Sequence, residues 1–155
     1  MILVTLGTQI QPFTRLLDLI EKSMIEEEII VQAGHTSYES SKMEIRGFID
    51  MDEMQSLTEK ARIIITHGGT GSIIGGLKKR KTVIACARLK KYSEHLDDHQ
   101  LEIVSTLSQN GYILELHDNE SLDEVMEKVP GFKPKEFISN STNFNQKLKE
   151  KIDSY

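Results

Sequence analysis

The chain has a single cysteine, Cys86, and so cannot close a disulfide within itself. Its neighbours Val83, Ile84 and Ala85 mark a buried strand position, which fits a reducing cytosol. Long apolar runs are missing too. The opening Met-Ile-Leu-Val-Thr-Leu has no basic flank and meets Gly7 almost at once, so it reads as neither a signal peptide nor a membrane span. Any membrane association is therefore expected to come through a partner. Positive charge is outweighed, with 19 Lys and Arg against 24 Asp and Glu and a net charge of -5, which argues against general nucleic-acid binding. The sequence has no internal repeat, linker or low-complexity segment. Its 155 residues suffice for one domain and not for two ordinary ones, so 1–155 is read as a single domain.

Several catalytic arrangements are also absent. Ser72 lies in no Gly-x-Ser-x-Gly elbow. His95, His99 and the carboxylates near them are close in sequence without the fixed geometry a transition metal needs, so no metal is expected. Gly69-Thr70-Gly71 begins like a dinucleotide fingerprint, but Ile74 stands at the third glycine, and the strand that should end in a ribose-binding acid ends in Cys86-Ala87-Arg88. No cofactor is expected.

What is present is the stretch Ile63 to Ser72, in which three isoleucines stop at a cluster of glycines and hydroxyls. The isoleucines have the stiffness of a buried strand, and the glycines open a turn into a helix. Gly68, Gly69 and Gly71 carry no Cβ to keep a ligand off the backbone, Thr70 and Ser72 add hydroxyl donors, and the N–H groups of the helix start suit a phosphate or diphosphate. A tight turn with no ligand is the plain alternative.

Along the chain, Ile2 to Leu6 reads as a strand, and Gly7-Thr8-Gln9 as a turn into a helix with Pro12 near its first position and Phe13, Leu16, Leu17 and Ile20 on its buried face. Glu28 to Ala33 is a second strand and Met43 to Phe48 a weaker one. Asp52-Glu53-Met54-Gln55 has capping-box spacing and opens a helix to about Lys60. The helix after the glycine turn extends to about Lys79, and Thr82 to Ala87 is a buried strand. Asp97 or Asp98 opens a helix with Gln100, Ile103, Val104 and Leu107 inside, stopping near Gly111. Tyr112 to Leu116 is a strand. Ser121 caps a helix in which Leu122, Val125, Met126 and Val129 form one stripe before Pro130-Gly131. The tail from Lys133 is polar, with Asn143 to Lys151 expected as a last amphipathic helix. Strand and helix alternate throughout, the pattern of a parallel, Rossmann-like α/β sheet with helices on both faces. The loops at Gly7-Thr8, His67-Gly71 and Arg88-His99 all follow strands and should open on one edge, where such folds bind ligands.

The loop after Ala87 is longer than the others and rich in hydrogen-bonding side chains, among them Arg88, Glu94, His95, Asp98, His99 and Gln100, a composition suited to a sugar. Singly these residues have ordinary readings: Asp98 as a helix cap, His99 as a surface residue, Arg88 as solvated. Lys78 to Lys81 with Arg88, Lys90 and Lys91 forms a basic stretch free of acids, either balancing a helix dipole or meeting anionic head groups or a diphosphate.

Thr66-His67-Gly68-Gly69-Thr70-Gly71-Ser72-Ile73, with Arg88-Leu89 and Glu94-His95-Leu96-Asp97-Asp98-His99-Gln100, resembles the donor-binding C-terminal domain of family-28 glycosyltransferases. Val4-Thr5-Leu6-Gly7-Thr8 and Gln32-Ala33-Gly34 match as well, so the resemblance runs to about Leu116. It is strongest to the small catalytic subunits of bacterial capsule and exopolysaccharide glycosyltransferases, which are related to the soluble subunit of the eukaryotic lipid-linked N-acetylglucosaminyltransferase and to MurG-type enzymes. Two positions depart from the pattern: Gly75 stands where MurG-like relatives have an acid for the ribose, and Ala87 where proline often precedes Arg-Leu.

The resemblance implies one half of a GT-B glycosyltransferase. Gly7, Thr8, Gln9 and the turn His67, Gly68, Gly69, Thr70, Gly71 and Ser72 would hold the diphosphate of a UDP-sugar. Arg88, Asp98, His99 and Gln100 would complete the substrate site, with His99 and Gln100 on sugar hydroxyls and Glu94 and His95 as acid–base candidates. It implies an inverting hexosyltransferase, often a β-1,4-galactosyltransferase, active with a membrane-associated subunit that binds a polyprenyl-diphosphate-linked acceptor. The chain would be cytoplasmic and recruited to the inner face of the cell membrane, with residues 133–155 as a docking segment. A non-catalytic phosphate-binding module is the other class of function.

Overall fold

The computed structural model describes residues 1–138; the helix expected at 143–151 lies outside them. Six strands run in parallel: β1 (Ile2–Thr5), β2 (Ile29–Gln32), β3 (Glu44–Arg46), β4 (Ile63–His67), β5 (Thr82–Cys86) and β6 (Leu114–Glu115). Their order is β3-β2-β1-β4-β5-β6. The helices are α1 (Thr14–Glu21), α2 (Met51–Lys60), α3 (Thr70–Lys78), α4 (His99–Gln109) and α5 (Leu122–Met126), with short 3-10 turns at Lys90–Tyr92 and Val129–Gly131.

Both faces of the sheet are covered, so successive strand residues are apolar yet feed separate cores. Ile2, Val4, Ile63, Ile65 and Ile84 join Leu16, Leu17 and Ile20 of α1 and Leu122 and Val125 of α5. Leu3, Ile64, Val83 and Ala85, one register step away, join Leu57 of α2, Ile73 and Leu77 of α3, and Ile103, Val104 and Leu107 of α4.

The chain winds outward from β1 to β3, then returns to lay β4 on the other side of β1. The connection after β1 leads to α1 on one face, and the turn after β4 leads to α3 on the other. A crevice is therefore left at the carboxyl ends of β1 and β4, the topological switch point where ligands bind in such sheets. Its floor is a buried polar pair, Thr5 Oγ1 and Thr66 Oγ1, 2.6 Å apart.

The local reading needs correcting at several ends. The cap of α2 is Asp50, whose carboxylate accepts from Glu53 N–H at 2.8 Å; Asp52 lies inside the first turn, because the helix begins at Met51. α1 starts at Thr14, two residues beyond Pro12, with Phe13 at its cap position. α5 ends at Met126, and Val129 reaches the core from a separate 3-10 turn. β6 is only two residues long, although Ile113 and Leu116 beside it are buried. Ser121 caps α5 as expected, accepting from Glu124 N–H.

Candidate functional site

His67, the last residue of β4, organises the crevice. Only 7% of it is exposed, and its ring fills the space where Gly7 and Gly69 lack side chains. A Cβ at Gly7 would lie 2.5 Å from His67 Nε2, one at Gly69 2.2 Å from His67 Cε1, and one at Gly68 2.6 Å from Gln100 Cβ. These glycines are thus required by the protein's own packing, a reason for them that the turn motif alone does not show. Only Gly71 of the turn has open space at its Cβ position.

Gln100, in the first turn of α4, braces this arrangement from behind. Its Oε1 accepts from Gly68 N–H at 3.0 Å and from Arg88 N–H at 3.1 Å, while its Nε2 lies 3.1 Å from His67 Nδ1. The amide donates there, so His67 carries its proton on Nε2. Burial, together with the Arg88 charge, pushes the His67 imidazole down to about 4. It is neutral at pH 7 and brings no charge to an anion. Gln100 is 6% exposed and holds the turn from inside.

An anion would instead meet backbone. Gly69, at the cap position of α3, offers no side chain, and the first helical bond is Ile73 N–H to Gly69 O. The N–H groups of Thr70, Gly71 and Ser72 consequently have no helical acceptor and mark the positive end of a nine-residue helix. A groove of about 320 Å³ continues from this end between α2 and α3, walled by Gly71, Ser72, Gly75 and Gly76 on one side and Met54, Gln55 and Thr58 on the other. Its α2 wall has no signal in the turn motif and was not legible in the sequence.

Across the crevice, the loop after β1 is pinned. Gly7 N–H donates to Gln32 Oε1 and Gln32 Nε2 donates back to Gly7 O, at 3.2 and 3.1 Å. Thr8 is exposed and Gln9 half-buried on this loop. Arg88, expected at the substrate, is 1% exposed and faces inward. Its Nη2 donates to Leu6 O at 2.7 Å, and its Nη1 to Gln11 O at 2.7 Å and Glu94 O at 3.0 Å, so one guanidinium holds the loop after β1 against the loop after β5. Its Nε is buried without a partner, and burial lowers its pKa to about 10.

Glu94 is likewise inside. Its carboxylate takes Arg15 Nε at 2.6 Å, Arg15 Nη2 at 2.8 Å and Leu89 N–H at 3.1 Å. These contacts occupy both carboxylate oxygens inside the protein; Arg15, on α1, could not be found from sequence spacing. The basic stretch is also not free of acids in space: Lys79 pairs with Glu59, Arg80 with Glu136 and Lys91 with Asp118.

The rest of the long loop stays at the surface. Asp98 Oδ1 accepts from Lys90 N–H at 2.9 Å and makes no cap bond to α4. His95 and His99 are half-buried, each with Nδ1 beside the Asp97 carboxylate. Among the described residues no cluster of three or more His, Cys, Asp or Glu side chains is arranged to hold a metal, and no helix is long and apolar enough to cross a membrane.

This geometry accompanies a family match over residues 1–154, to the glycosyltransferase family 28 C-terminal domain. The chain belongs to that family. It is 30% identical over 82 residues to the UDP-N-acetylglucosamine transferase subunit ALG13 of Yarrowia lipolytica, an alignment covering 52% of this chain and 39% of that protein. The match thus spans well under half of that relative's length. Its fold is similar to the NMR solution structure of ALG13, with TM-score 0.65 at 18% identity over 98% of this chain and 96% of that one. It is also similar to the glycosyltransferase SnogD from Streptomyces nogalater, with TM-score 0.57 at 13% identity, covering 98% of this chain but 39% of SnogD. The parallel α/β architecture expected from the sequence is therefore that of one part of a GT-B glycosyltransferase.

Proposed function

We propose that this chain is the UDP-sugar-binding, catalytic subunit of an inverting two-component glycosyltransferase. The observation that carries this reading is the uncapped start of α3 at the switch point, continued by a groove that runs past the open backbone of Gly71 and Gly75. The α3 N–H groups and the loop from Gly7 to Gln9 would hold the diphosphate, with the nucleoside running into the groove. Gly75 exposes backbone where an acid would take the ribose, so uridine would be held by the groove walls. Asp98 and His99 would stand at the sugar.

Transfer requires an acceptor hydroxyl to lose its proton as its oxygen bonds the anomeric carbon, while the bond from that carbon to the diphosphate breaks and UDP leaves with the electron pair. With Glu94 held by Arg15, His95 is the base on this chain. The acceptor we propose is a polyprenyl-diphosphate-linked sugar of capsule or exopolysaccharide synthesis, presented by a membrane-associated subunit that also draws the chain to the inner face of the cell membrane. The transferred hexose we propose is galactose or a close relative, on the resemblance to β-1,4-galactosyltransferase subunits.

Calorimetry with UDP, UDP-galactose, UDP-glucose and UDP-N-acetylglucosamine, with and without the partner, tests the donor assignment and selects the sugar. Binding of UDP with one sugar preferred is expected. No heat from any of them with the partner present would leave a non-catalytic phosphate-binding module, a reading favoured by the structural use of Arg88 and Glu94.

A further inference from the structure

The basic end of α3 is joined by a cation from beyond α5. A groove of about 330 Å³ lies there, lined by Arg80 and Lys81 and by residues 134–137, with Leu77 at its base. The second segment is fixed on the fold: Lys135 N–H donates to Gly111 O at 2.9 Å, its ammonium lies 5.4 Å from the Tyr112 ring, and Phe137 meets the same ring edge-on. Lys79 and Lys81 carry the charge toward α2. Lys79 Nζ meets the Glu59 carboxylate at 3.0 Å, and Lys81 Nζ donates to Glu59 O at 2.7 Å. Balancing the helix dipole does not account for this gathering. Lys79 N–H and Lys81 N–H already reach Gly76 O, and Arg80 N–H reaches Leu77 O, so these α3 carbonyls have backbone donors. Nor do the acids cancel it: Lys79, Arg80, Lys81 and Lys135 meet two carboxylates, Glu59 and Glu136, and the Arg80–Glu136 pair is exposed and 3.6 Å apart, a kind of pair that contributes little.

We infer that this groove is a contact for the anionic surface of a lipid bilayer, in which Arg80, Lys81 and Lys135 meet lipid phosphates while Phe137 and the exposed Ile138 enter the head-group boundary. The whole chain has a net charge of -5, so attraction to such a surface has to be local. Cations interleaved with apolar side chains suit that boundary, where ammonium and guanidinium groups meet phosphate and their neighbours meet acyl chains. A single-stranded nucleic acid would instead call for a series of open ring faces, and this segment offers one half-buried phenyl ring. The nine residues of α3 span about 14 Å, with the uncapped start at one end and this groove at the other, so lipid contact leaves the crevice open. Each cation near an anionic surface strengthens binding about fivefold. The contact is therefore weak alone and adds to whatever a membrane-associated partner supplies. It goes beyond the donor reading and does not depend on it.

The test is co-sedimentation of the full chain with vesicles of phosphatidylglycerol and phosphatidylcholine in roughly equal parts, against phosphatidylcholine alone. Binding to the mixed vesicles only is expected, with loss near about 1 M salt, where the Debye length falls to roughly 3 Å. Arg80→Gly combined with Lys135→Gln should weaken binding at least about tenfold. Arg80 has φ 58°, a left-handed position after a helix end that glycine takes without strain, so the variant should keep an unchanged or higher urea midpoint. Equal binding to neutral vesicles, binding to neither, or undiminished binding by the folded variant overturns the inference. So does tighter binding of single-stranded RNA than of the vesicles, which would make the groove a nucleic-acid contact. Displacement from vesicles by inorganic phosphate beyond that by chloride at equal ionic strength would make it a site for free anions and overturns it too. Failure to bind any UDP-sugar, measured separately, would remove the donor reading and leave the vesicle result standing.

Discussion

At the scale of single residues, glycine has two opposite uses within one short stretch. Gly69 is glycine because His67 occupies the space beside it, whereas Gly71 and Gly75 face open space at the groove. Gly69→Ala should therefore destabilise the fold by about 1–3 kcal/mol, the usual cost of overpacking. Gly75→Ala should stabilise it by about 0.5–1 kcal/mol, since alanine is the better helix former. Urea unfolding of both variants checks the contrast. Gly75→Ala should also weaken UDP binding, and unchanged affinity would remove the nucleoside from the groove. His67 makes a second prediction. Its pKa falls on folding from an ordinary 6.5 to about 4, so between these values the unfolded chain binds the extra proton and stability is lost as pH falls. His67 stabilisation is complete above about pH 6.5 and gone near pH 4, a loss of about 3 kcal/mol. The His67 ring protons followed by NMR should titrate near the lower value; titration near 6.5 would mean that the ring is not buried in the crevice.

At the scale of elements, helix starts decide both stability and chemistry. α2 is closed by a side-chain cap, whereas α3 is left open to the crevice. Asp50→Ala should cost about 0.5–2 kcal/mol, the range for loss of an N-cap, and Asp52→Ala should cost much less because no cap bond is lost. Equal effects in thermal unfolding would place the cap elsewhere. The open start of α3 is held rigid by Gln100 on Gly68 N–H and by His67 packed under Gly69. Backbone donors fixed in this way would need little reorganisation to take the diphosphate proposed above, which is the advantage of a preformed site.

At the scale of the molecule, the chain supplies one parallel α/β sheet, and SnogD is covered over only 39% of its length. Group transfer between two substrates needs a second surface to hold the acceptor, and correct orientation is worth on the order of 7–11 kcal/mol of barrier. The purified chain is expected to bind a UDP-sugar and to transfer it at a negligible rate until the acceptor-binding subunit is added. Assay of a polyprenyl-diphosphate-linked sugar with and without that subunit decides this; full turnover by the chain alone would refute the split enzyme.

The sequence alone determined what depends on short-range pattern. The alternation of strands and helices, the cores under Leu16, Leu17 and Ile20 and under Ile103, Val104 and Leu107, the buried Cys86 and the turn at Gly68 to Gly71 follow from periodicities and glycine placements spanning a few residues. Tertiary structure decided what each polar side chain does, because its partner lies far along the chain. Arg88 meets Leu6 O, 82 positions away, and Arg15 meets Glu94, 79 positions away; both ligand-edge candidates, Arg88 and Glu94, thereby became internal supports. Gln100 was placed on the buried side of its helix by spacing, yet only its contact with Gly68 shows that it braces the turn. The turn's glycines point the same way. Sequence shows that a Cβ is missing, and only the packed neighbour shows whether protein or ligand fills the space.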